Sequence, residues 1–224
     1  VLSHILLPLA ESLTAEVNHP TWAEAVNTIY KTCETIELNP KSWLTNLTLI
    51  TSVLCVSPSD LFLSQWYDLV ESNIRNLKSK HATLEERVTI TTCIARLIWV
   101  YIFRCTETLN NTTRKIESIM KSMFLGKGKQ SWLVSDASLI LPCVQIFRAI
   151  GFAAYNQTVE NFVIPLLRSA FSGHSLDSVQ HEKVVLAVKA YTAMLADKER
   201  PNFPEDNDSI CLLYTSPSPR DSTS

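Results

Sequence analysis

Glycine is scarce in this chain, with four in 224 residues, too few for a fold made of tight turns that call for positive φ. No stretch alternates steadily between apolar and polar residues before an Asn-Gly or Asp-Gly pair, so β-hairpins are not expected. Membrane-length apolar runs are lacking as well. The two most apolar segments, ITTCIARLIWVYIF and LILPCVQIFRAIGFAAY, fall short of the roughly 18–20 residues a spanning helix needs, and they carry Arg96 and Arg148. Neither sign of charge dominates. A formal charge of −2 argues against nucleic acid as a partner, which draws a strongly basic domain. Cysteines at metal or redox spacing are missing too: Cys33, Cys55, Cys93, Cys105 and Cys143 stand far apart inside apolar stretches. They are predicted to be reduced, buried thiols, a usage that fits a cytosolic or nuclear compartment. The opening VLSHILLPLAESL has neither a basic segment nor a small-residue cleavage site, so it is not a signal peptide and reads as a helix cut midway.

What is present is helical periodicity. Trp22, Val26, Ile29, Cys33 and Ile36 recur at steps of four and three after Asn18-His19-Pro20, a cap followed by proline in the first turn. Leu63, Trp66, Val70, Ile74 and Leu77 form a second such row after Ser57-Pro58. Thr83 with Glu86 three residues on predicts a capping box. The helix behind it turns apolar nearly all round between Ile94 and Phe103, so it needs neighbours on several sides. Further helices are predicted from about Asn111 to Phe124, from Ser135, over TVENFVIPLLRSAF and over SVQHEKVVLAVKAYTAMLA.

About nine helices joined by short loops suit an all-α helical repeat of the HEAT or armadillo kind, whose period is about 40–47 residues. A single closed helical bundle is the alternative. Residues 1–200 are assigned to the helical-repeat domain, truncated at both ends, with 201–210 a linker.

Chemical motifs are few. LGKGKQ, with Gly126 and Gly128, lacks the spacing and the preceding strand of a phosphate loop and reads as a helix stop. The histidines never fall with acids or cysteines at triad or metal spacing, and there is no nucleophile elbow. No catalytic residue, metal or cofactor is therefore assigned. Arg96 and Arg148 are read as snorkelling to water from apolar helices, with ion pairing between helices as the alternative. Arg114, Lys115, Lys121, Lys127 and Lys129 make one locally basic stretch with Glu117 as its one acid. They are the candidate partner-binding residues, suited to an acidic protein or to anionic lipid head groups.

The blocks ILLPLAESL, HPTWAEAVNTIYKTC, VLCVSPSDLFLSQWYDLVES and CIARLIWVYIFRCTETLNNTTRKIE resemble the N-terminal conserved region of the Furry-type cell morphogenesis proteins. The resemblance covers roughly residues 1–170. It implies a long, cytoplasmic, non-catalytic scaffold of helical repeats acting in polarised growth and cell shape. Its implied partners are NDR-family kinases and their Mob co-activators, and enrichment at the cortex or at sites of polarised growth would follow. The alternative function is a trafficking or transport adaptor that binds cargo or an anionic membrane through the basic stretch. An all-α enzyme comes third.

CLLYTSPSPRD, from Cys211, matches neither the composition nor the period of what precedes it. Its back-translation resembles the transposase adapter of sequencing libraries. Residues 211–224 are accordingly expected to be a disordered, non-native tail.

Overall fold

The computed structural model describes residues 2–13, 19–35, 42–126, 132–171 and 179–204. Helices account for most of them: α1 (Leu2–Ser12), α2 (Pro20–Thr35), α3 (Trp43–Cys55), α4 (Ser59–Leu77), α5 (Leu84–Phe103), α6 (Leu109–Phe124), α7 (Ala137–Ala153), α8 (Tyr155–Thr158), α9 (Ile164–Ala170) and α10 (His181–Ala196). A π-helical stretch, Val159–Val163, joins α8 to α9 without a break. No strand occurs among the described residues. The all-α helical-repeat reading holds.

The helices form two layers. One runs α1, α3, α5, α7, α10, each packed on the next, and the other sets α2 on α3, α4 on α3 and α5, α6 on α4, and the α8–π–α9 run on α7 and α10. Alternate helices thus share a layer, the plan of a repeat stack in which each pair buries the face its neighbour leaves open. The predicted rows point inward. Val26 and Cys33 are buried on α2, with Trp22 and Ile29 half-buried. Trp66, Val70, Ile74 and Leu77 are buried on α4, joined by Phe62. Ile36 lies outside the described residues.

Helix α5 has the several neighbours its sequence demands: α3, α4 and α7 on three sides, and on the fourth an extended segment, Arg200–Pro204. It begins with the predicted capping box, the Thr83 side chain accepting from the Glu86 N–H and the Glu86 carboxylate from the Thr83 N–H. It ends at Arg104, whose buried guanidinium donates to the carbonyls of Cys55 and, at 3.0 Å, Ser57. A cation placed there completes the last turn of α3 and ties it to α5.

The structure corrects the reading of the two arginines. Arg96 is buried and donates from Nε to the carbonyl of Pro204 at 2.8 Å, and Arg148 pairs with Asp197 at the end of α10. Arg96 cannot snorkel because the chain covers it and a covered guanidinium needs acceptors, while Arg148, partly exposed, takes the ion-pair alternative. Residues 201–204, the start of the stretch assigned to a linker, pack on α5 with Pro201, Phe203 and Pro204 buried. The candidate tail, 211–224, lies outside the described residues. The five cysteines among the described residues are buried free thiols, and burial pushes the Cys55 thiol up to about 12 and raises the Cys143 thiol as well.

Candidate functional site: the exposed side of α6

Helix α6 buries Ile116, Ile119, Met120, Met123 and Phe124, so its basic residues are distributed by the angle each makes with that row. Arg114 and Lys121, seven positions apart, lie on one face. Both line a single polar recess, together with Asn110, Ser118 and Gln157. Glu117 stands between them and pairs with Lys121 at 2.7 Å, one turn on. Arg114 has no ion-pair partner among the described residues.

Lys115, one position round, turns the other way. Its ammonium pairs with Glu107 from the α5–α6 connection and stands 5.8, 5.6 and 5.9 Å from the ring centroids of Trp66, Tyr67 and Tyr101. Glu107 also accepts from the Tyr101 hydroxyl at 2.9 Å. The hydrogen bond from Lys115 draws the Glu107 carboxyl below its usual value, against the opposing pull of burial. Burial above all raises the Tyr101 phenol to about 12. Lys115 is thus a cation held among three rings and a carboxylate, fastening α6 to α4 and α5. Of the five sequence candidates, the structure brings Arg114 and Lys121 together, turns Lys115 inward, and leaves Lys127 and Lys129 outside the described residues.

Beside the polar recess an apolar groove of about 310 Å³ opens between α6 and the α8–π run. Ile102, Ile116, Ile150 and Phe162 line it, and Leu109, Thr113, Glu117 and Gln157 belong to both the groove and the recess. Leu109 is 79% exposed. The π-helical stretch has a local cause: Pro165 offers no N–H and its ring crowds the carbonyl four residues back, which a widened turn accommodates. Asn161 and Phe162 of that stretch face the groove.

Across the α4–α6 seam Arg75 and Lys78 extend the cationic surface, with the Lys78 ammonium 3.4 Å from the Ser122 hydroxyl. Partial burial lowers the Lys78 pKa. Sequence reasoning missed the groove and this pair. Their residues come from α4, α5, α6, α7, α8 and the π stretch, and Leu109 at the start of an amphipathic helix was the one local signal available.

The arrangement offers a hydrophobic slot with a cationic edge. Among the described residues no group of three or more His, Cys, Asp or Glu is placed to hold a metal ion. No described helix is long and apolar enough to cross a membrane.

Three comparisons bear on the chain. The family described as "Cell morphogenesis N-terminal" matches residues 1–223, further than the roughly 170 residues that the resemblance covers. "Cell morphogenesis protein PAG1" of Saccharomyces cerevisiae is 42% identical over 213 residues, 95% of this chain and 9% of that protein. "Cell polarity protein mor2" of Schizosaccharomyces pombe is 26% identical over 199 residues, 88% of this chain and again 9% of the relative. The chain therefore spans about a tenth of the length of these relatives. No solved structure matches.

Proposed function

The chain belongs to the cell morphogenesis N-terminal family, and from that premise we propose that it is a non-catalytic scaffold segment that docks an NDR-family kinase with its Mob co-activator. Two relatives bear names of cell morphogenesis and cell polarity, which supports a role in shaping the cell. The observation that carries the docking role is the α6 surface, where an apolar groove runs directly into a recess edged by Arg114 and Lys121. A protein partner that seats an apolar side chain near Leu109 and an acidic one near Arg114 satisfies both halves. On this reading the segment acts in the cytoplasm, enriched at the cortex or at sites of polarised growth.

The test is co-precipitation of kinase and Mob with the full-length protein carrying Leu109→Asp or Arg114→Glu/Lys121→Glu. Loss of the kinase module from both variants, with helicity retained, is the expected result. An undiminished complex would exclude this face as the docking site. Flotation with anionic vesicles is the control for the adaptor reading: capture by vesicles, lost on charge reversal, would favour a membrane surface instead.

A further inference from the structure

After α10 the chain turns back as an extended strap over α5, and the contacts divide it into anchors and acceptors. Arg148 of α7 holds Asp197 at the start, with Nε 2.8 Å from Oδ2. The Arg200 guanidinium lies 4.9 Å from the centroid of the Trp99 ring and 5.8 Å from that of Phe103. The Pro201 carbonyl accepts from the Trp99 indole N–H at 2.8 Å. Phe203 meets Trp99 edge-on, ring centroids 5.3 Å apart. The Pro204 carbonyl accepts from Arg96 Nε at 2.8 Å, and the Phe203 N–H donates to Glu11 of α1 at 3.3 Å.

Apart from Glu11, the hydrogen-bonding and ring partners seen for Arg200–Pro204 lie on one stripe of one helix. Arg96, Trp99 and Phe103 follow one another at three and four residues along one side of α5, where Phe103 also meets Phe152 of α7. Packing of α5 on α3, α4 and α7 holds the backbone that carries the stripe. The chemistry is that of peptide capture: side-chain N–H groups read main-chain carbonyls, an aromatic face takes a cation, and an aromatic edge takes a ring. Pro201 and Pro204 in the captured stretch pre-set an extended backbone and lessen the entropy lost on binding.

We propose that the Arg96–Trp99–Phe103 stripe is a recognition site for extended segments of the Arg-Pro-x-Phe-Pro type, filled in cis by residues 200–204. A partner carrying such a segment occupies the stripe by displacing the strap. The tether gives the strap an effective concentration on the order of millimolar, so a free peptide competes poorly until the strap is weakened.

The probe is a fluorescein-labelled Arg-Pro-Asn-Phe-Pro peptide, titrated against the whole chain and against Arg200→Ala/Phe203→Ala. Saturable binding by the double variant is expected, about a hundredfold tighter than to the unaltered chain, and it disappears when Trp99→Leu is added. A double variant with native helical circular dichroism and no saturable binding overturns the proposal. A measurement on the unaltered chain covers the case of a variant that fails to fold. The Phe203 amide should exchange with solvent deuterium far sooner than the α5 amides, by opening of the strap alone. Exchange of Phe203 as slow as that of α5 would mean the strap never leaves, and would also overturn the proposal.

Discussion

The two tryptophans of the apolar rows show how one residue type takes two environments. Trp66 is fully buried, stacked on Tyr101 with ring centroids 4.1 Å apart and on Phe62 at 5.9 Å. Trp22 is half-buried, and its indole N–H donates to the Val56 carbonyl at 3.0 Å. Trp66→Ala should therefore destabilise by roughly 3–5 kcal/mol, and Trp22→Ala by clearly less, in denaturant unfolding. Equal costs would contradict the difference in burial. Period alone assigned both to the core, because a helical row records which face is covered and not how deeply. Glu107 carries the pH dependence at this scale. Its carboxyl titrates below the unfolded glutamate value near 4.5, so it adds stability above that value, and the contribution is lost as pH falls through the lower folded pKa. Acid unfolding of Glu107→Gln should accordingly show less pH dependence below about 4.5 than the parent chain. A direct titration by NMR should find the Glu107 carboxyl shifted down, and an unshifted value would remove Lys115 from its cage.

Helix boundaries were legible where a cap wrote them and less so where the cause lay elsewhere. The capping box placed the start of α5 at Thr83, and the structure has it there. For α7 the expected start at Ser135 moves to Asp136, whose carboxylate accepts from the Ser138 N–H at 2.9 Å. The segment TVENFVIPLLRSAF, read as one helix, contains the π stretch, since a periodic pattern does not reveal how a turn widens ahead of a proline. Contact between elements rests on small details of the same kind. Gly151 of α7 faces Met194 of α10 so closely that an added Cβ would lie 2.6 Å from the methionine methyl and 2.9 Å from its Cγ. Gly151→Ala gains up to about 1 kcal/mol of helix propensity but meets an overpacking cost of about 1–3 kcal/mol. The expected net effect is a lower Tm. In a Met194→Ala background the same change should raise Tm, and a change of equal sign in both backgrounds would show that the two helices do not meet there.

Over the whole molecule, a two-layer stack gives each helix only its neighbours to lean on, and stability should grade from the middle outward. Hydrogen exchange is expected to be slowest in α5, which α3, α4, α7 and the strap enclose. It should be fastest in α1 and α10, where Ile5 and Leu195 stay 58% and 59% exposed. Uniform protection along the chain would indicate a single closed bundle instead. The all-α class, the inward rows and the buried cysteines could be read from the amino acids alone, because period, caps and side-chain polarity act over one or two helical turns. The family was equally visible there, carried by ordered blocks of residues. The placing of the α6 charges was not, since Lys115 turns inward only because Trp66, Tyr67, Tyr101 and Glu107 converge on it from three other parts of the chain. Nor was the fate of Arg96 and Trp99, whose partners Pro204 and Pro201 lie 108 and 102 residues away. Local rules decide which residues leave water; which groups meet once they have left depends on how the layers close, and no stretch of sequence holds that information by itself.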